Sequence, residues 1–138
     1  MATSTGAPEI GVALYLSGNF RPEALGDLFD VVPNIAVVKG AARRRKSTGE
    51  LVGTYGESWW GFSSEQTVGS NQIDEHVLWL IAKSGSASAF VRANLGVSAF
   101  IEVTLREASS CVLPRSLVEF ALSLNADIGI VASRPYAA

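Results

Sequence analysis

Ser98 to Glu107 is the clearest strand in the chain, and it limits what the rest can become. Ala99, Ile101, Val103 and Leu105 alternate with Phe100, Glu102, Thr104 and Arg106, and successive side chains of a strand point to opposite faces. One face of this strand belongs to a core and the other mostly to water, as in an antiparallel sheet covered on one side. Ile10 to Ser17 repeats the alternation, with Ile10, Val12, Leu14 and Leu16 on its apolar side.

Between and after these strands the period changes to that of helices. Pro22 opens a segment in which Leu25, Leu28, Phe29 and Val32 fall on one helical stripe, which the helix buries. Its other side carries Glu23, Asp27 and Asp30 as an exposed acidic row, and Pro33 and Asn34 end it. Ile35 to Val38 is a short β-branched run suited to an inner strand. Ser58 to Ser64 reads as a strand with Trp60 and Phe62 on one face and Trp59 on the other. Ser70 or Asn71 caps a helix from about Gln72 to Lys83, with Ile73, Val77, Leu80 and Ile81 in phase. Ser84, Gly85 and Ser86 interrupt it before Ala87 to Asn94, and Gly96 suits a left-handed helix end. Pro114 opens a further helix with Leu117, Phe120, Ala121 and Leu124 in phase, closed by Asn125, and Ile128 to Ala132 forms the last strand.

The segments around Pro22 and Pro114 resemble one another: each has an amphipathic strand before it and a β-branched run after it. The pattern predicts an α+β fold, a single mixed and mainly antiparallel sheet of about five strands with two or three helices on one face. It contains two strand-helix-strand halves like those of a ferredoxin-like sheet. At 138 residues a single domain over 1–138 is expected. Residues 1–8 are expected to be a flexible start and 135–138 a tail, while 39–57 read as a mobile basic, Gly-rich connection or as a flared hairpin including Leu51 and Val52.

Hydrophobic residues at 48% and a mean hydropathy of +0.26 exclude a disordered chain, which would lack the apolar area to offset ordering entropy. A net charge of −2 gives no global attraction to nucleic acid or to an anionic membrane, so no membrane partner is expected. The single Cys111 excludes an internal disulfide and fits a reducing, cytoplasmic setting. Met1 to Ala7 is small and polar, unlike a signal peptide or a membrane span.

The residue types that carry chemistry are sparse. Cys111 has no adjacent cation and reads as a structural thiol, and His76 as a solvated or helix-face histidine. Ser63, Ser64, Ser109 and Ser110 lack a Gly-x-Ser-x-Gly context, and no phosphate loop or metal spacing occurs, so no catalytic residue, metal or cofactor is expected. A hydrolase would need Glu102 to meet Glu57 or Glu65 as a carboxylate pair. Two charge clusters remain as partner-binding candidates. Arg43, Arg44, Arg45 and Lys46, with Trp59, combine the side chains most enriched at interfaces, whereas Glu23, Asp27 and Asp30 can mimic phosphates toward a basic partner. The Arg43–Lys46 loop with Trp59 and Trp60 also has the makings of a nucleic-acid or small-ligand module, which ranks below a protein partner because the chain is acidic.

The strand Leu14 to Ser17, then Phe20, Pro22 and Leu25, the Lys39-Gly40 loop with Arg43 and Arg44, Trp59-Trp60, Ser63-Ser64 and the run Glu75-His76-Val77-Leu78-Trp79-Leu80 resemble the domain of unknown function 4279 family. The resemblance spans nearly the whole chain, although Ala82 to Ala89 is less typical of it. It implies a small stand-alone bacterial α+β domain and transfers no catalytic residue. Through the association of such proteins with polymorphic-toxin immunity, it implies a cytoplasmic, non-enzymatic immunity protein whose partner is a toxin C-terminal domain.

Overall fold

A computed structural model describes residues 10–65, 67–106 and 111–132. The expected flexible start at 1–8, the tail at 135–138, and Ser109 and Ser110 lie outside the described residues. In chain order the elements are β1 (Ile10–Gly18), α1 (Glu23–Phe29), β2 (Ile35–Val37), β3 (Ala42–Arg44), β4 (Leu51–Thr54) and β5 (Ser58–Ser63). They are followed by α2 (Ile73–Lys83), α3 (Ala87–Ala93), β6 (Ser98–Leu105), α4 (Arg115–Leu124) and β7 (Asp127–Ala132).

Five strands form one sheet in the order β2-β5-β1-β6-β7, and β3 pairs with β4 in a separate hairpin. Every pairing in the main sheet is antiparallel except β6 with β7. The fold is therefore α+β with a mixed, mainly antiparallel sheet, as the alternation implies. Both strand-helix-strand units are present, with a difference between them. β6 and β7 are neighbours joined through α4, whereas β5 lies between β1 and β2 and splits the first unit.

Ile10, Val12, Leu14 and Leu16 of β1, Trp60 and Phe62 of β5, and Ala99, Ile101, Val103 and Leu105 of β6 point to one face and are buried. α2 lays Ile73, His76, Val77 and Leu80 on that face, and α4 adds Leu117, Ala121 and Leu124. α1 contributes Leu25 and Phe29, whose ring stacks on Trp60 with centroids 5.1 Å apart.

Several expectations need correction. Four helices stand among the described residues where two or three are expected, because the Ser84–Ser86 break separates α2 from α3 completely; the Ser84 amide closes α2 on the Leu80 and Ile81 carbonyls. Ile35–Val37 is an edge strand, not an inner one, and Val38 is exposed. The α1 stripe is shorter than its spacing suggests. The helix stops at Phe29, where Asp30 turns left-handed (φ 53°), so Val32 leaves the stripe and faces solvent, and Leu28 within the helix is also exposed. Asn125 ends α4 in the same conformation (φ 51°), as its place in the sequence predicts. Within residues 39–57 the chain folds back as the β3–β4 hairpin, with Leu51 and Val52 in β4.

Candidate functional site

No described helix lies against the other face of the sheet. Gly11, Ala13, Tyr15 and Ser17 of β1 stand there opposite Thr104, Glu102, Phe100 and Ser98 of β6, and Ser63, Gly61 and Trp59 of β5 lie on the far side of β1. Ile35 and Val37 of β2 and Gly129 of β7 extend the same face outward.

Two glycines shape it. A methyl group on Gly61 would clash with Cδ1 at the edge of the Tyr15 ring and lie 2.8 Å from the Leu14 carbonyl oxygen, and one on Gly129 would lie 2.5 Å from Phe100 Cζ. Tyr15 and Phe100 face each other across the β1–β6 ladder, yet each ring lies over a glycine on the strand beyond. The two rings are thereby spread apart. Between them opens a groove of about 600 Å³, completed by Ile35, Trp59 and Glu102 and floored by Ser17 and Ser98.

On the Ala13 side the groove adjoins a cavity of about 580 Å³, lined by Tyr15, Asn34, Glu65, Trp79, Lys83 and Glu102. β2 is short, so the end of β5 has no outer neighbour, and the cavity passes around that edge toward α2. Glu65 lies over Gly11 and is ion-paired with Arg106. Glu102 has no hydrogen-bond or ion-pair partner among the described residues. Asn34 Nδ2 donates to the Tyr15 hydroxyl at 3.4 Å. Burial, followed by the nearby carboxylates of Glu102 and Glu65, raises the Tyr15 phenol above its ordinary value of 10.0, against the lowering effect of the Asn34 bond.

The candidate residues separate into places the sequence does not join. Arg43 lies beside Tyr55, Glu57 and Trp59 in a depression of about 590 Å³, so one member of the basic run does meet the tryptophan. Arg44 Nη1 donates to the Gly49 carbonyl at 3.1 Å, and Arg45 and Lys46 are exposed at the hairpin turn. The acidic row is broken: Glu23 and Asp27 are exposed on α1, whereas Asp30 has left the helical path and lines the 580 Å³ cavity. Of the carboxylate pairings, Glu65 and Glu102 share that cavity, and Glu57 belongs to the hairpin-side depression.

His76 is not a solvated helix-face residue. It is fully buried, with Nδ1 2.5 Å from Ser64 Oγ and Nε2 2.5 Å from the Ser70 carbonyl oxygen. A carbonyl only accepts, so Nε2 carries a proton. The Ser64 oxygen accepts the Val12 amide at 2.9 Å and its hydroxyl donates to Nδ1. Ser64 is also fully buried, so this pair clamps β1, the end of β5 and α2 together and presents no nucleophile to solvent. Cys111 is a half-buried free thiol packed against the core.

Sequence reasoning did not single out Tyr15 and Phe100, which line the groove, and considered Glu102 only as an acid. Two aromatics on the polar sides of alternating strands were the available signal; their pairing is a matter of register, which the spacing does not contain. No helix among the described residues is long and apolar enough to cross a membrane. No family model, curated protein or solved structure matches the chain.

Proposed function

We propose that this chain is a non-enzymatic binding protein of the bacterial cytoplasm, of the domain of unknown function 4279 type. In this reading it neutralises a toxin by covering the working surface of the toxin's C-terminal domain. The observation that carries the reading is the uncovered sheet face, on which Tyr15, Trp59 and Phe100 line one groove together with a carboxylate, Glu102, that no described residue pairs. Solvent-facing aromatics set in a hollow, with polar groups around them, are what protein interfaces use as anchors. The sealed Ser64–His76 pair is spent on holding three elements together, which supports a role that needs no reactive group.

The test is capture of partners from the producing bacterium on the tagged chain through a high-salt wash, followed by expression of the captured domain in cells. A captured domain that arrests growth, with the arrest relieved when this chain is co-expressed, is the expected result. A captured domain whose toxicity is unaffected by co-expression overturns the immunity reading.

A second reading, a nucleic-acid or small-ligand module, is favoured by the placing of Arg43 beside Tyr55 and Trp59. Salt separates the two readings, because phosphate contacts weaken steeply between low and physiological salt whereas an apolar protein interface does not.

A further inference from the structure

Trp59 lines both the depression beside the hairpin and the groove between Tyr15 and Phe100. Tyr15 and Glu102 line both that groove and the cavity beyond it. The three hollows therefore adjoin in one line along β1, from Trp59 near Ser17, past Tyr15, to Glu102 and Ser63 on either side of Ala13.

The ends of this trough differ in charge. At the hairpin end Arg43 lines the depression together with Glu57, and the hairpin and its approaches, residues 39–57, hold Lys39, Arg44, Arg45 and Lys46 against Glu50 outside that lining. At the other end Asp30 and Glu102 have no ion-pair partner among the described residues, Glu65 is taken by Arg106, and Lys83 is the single cation lining the cavity. The middle is aromatic and aliphatic, with two serine hydroxyls on its floor.

Resting on the binding-protein reading above, we propose that the trough receives an extended segment of a protein partner. An acidic side chain lies toward the hairpin, apolar side chains enter between Tyr15 and Phe100, and an arginine or lysine meets Glu102. The lining side chains come from every second residue of β1, β5 and β6, and an extended peptide presents its own side chains on the same repeat. The four-residue step from Trp59 to Ser63 spans about 13 Å, so with the hairpin end included the segment is about five or six residues long. A guanidinium suits the basic position best, since its planar fork matches a carboxylate and its face stacks on a phenol ring.

The test is selection of random decapeptides on the immobilised full chain. The enriched peptides are then titrated by fluorescence anisotropy against wild type and against Glu102→Gln, Arg43→Glu and Trp59→Ala. The expected peptides carry an acid and a base on either side of apolar residues at alternate positions. Glu102→Gln should raise their Kd about tenfold, and this loss should vanish when the peptide's basic residue is replaced by glutamine. Glu102 and Arg43 are outside the core, so their variants keep the test valid if Trp59→Ala disturbs folding; a thermal melt of each variant checks this. The proposal is overturned by absence of enrichment, by peptides indifferent to Glu102→Gln and Arg43→Glu, or by contact residues spaced at helical intervals of three and four. Preferential binding of oligothymidine that is lost with Arg43→Glu and kept with Glu102→Gln also overturns it. Relief of toxicity that survives these variants would uphold immunity and overturn the trough. Peptides bound as expected without any relief would do the reverse.

Discussion

The same strands make two unlike surfaces. Toward the helices, Val12, Leu14, Leu16, Ile101 and Val103 have no exposure at all, and each is an aliphatic side chain that fills space left by its neighbours. Toward the other side the intervening positions hold Gly11, Ala13, Tyr15 and Ser17, then Phe100 and Glu102, a set no packing rule would choose. The covered face is governed by density and tolerates little change of volume. The open face is governed by shape: small residues under large rings make a hollow. Trp59 and Trp60, neighbours in sequence, sit one on each side of this division.

That pair offers the sharpest way to break the comparison. Trp60→Ala should cost about 3–5 kcal/mol, the range for deleting a buried aromatic, while Trp59→Ala should cost about 1 kcal/mol because its face is open. Urea unfolding of both variants measures this, and equal losses would mean that both faces are core. Next in size is the clamp behind the open face. His76→Ala leaves the Ser64 hydroxyl and the Ser70 carbonyl without their partner, an expected loss of about 2–4 kcal/mol. The Val12 amide, which bonds to Ser64, should lose hydrogen-exchange protection in step. Gly61→Ala is expected to destabilise by about 1–3 kcal/mol by pushing the Tyr15 ring off its seat, and a Tyr15→Ala background should recover part of the loss. The smallest effect is the Tyr15 titration. Its phenol is raised in the folded chain, so its contribution to stability is complete below pH about 10 and is lost as the pH climbs through the raised value. Tyr15→Phe should remove this alkaline loss, and Glu102→Gln should move the ultraviolet titration of the phenol downward.

How far the sequence could be read follows the same division. Alternation in β1, β5 and β6 and the helical stripes of α2 and α4 are written in the order of residues, because covered faces need apolar side chains at fixed periods. The places where that reading misled are those where periodicity has no authority. Val32 continues the α1 stripe on paper, yet a left-handed Asp30 ends the helix first, and Leu28, though helical, is exposed. Ile35–Val37 has the composition of an inner strand and stands at an edge, since strand order is set by which chains meet and not by composition. His76 looked solvated beside Asp74 and Glu75, and its two partners come from residues 6 and 12 positions away. The candidate site was the least legible part. Tyr15, Phe100, Gly61 and Gly129 come from four different strands, and only the register places the rings over the glycines.

The central position of β1 also has a consequence for how the protein is made. β1 leaves the ribosome before either strand it pairs with: β5 begins at Ser58 and β6 at Ser98. For that interval the most apolar strand of the sheet travels without either of the strands that flank it in the sheet. At a synthesis rate of about 5–20 residues per second the wait is several seconds, long enough for a chaperone to hold Ile10 to Leu16, and a pause before β6 would lengthen the exposure and lower the yield of folded protein.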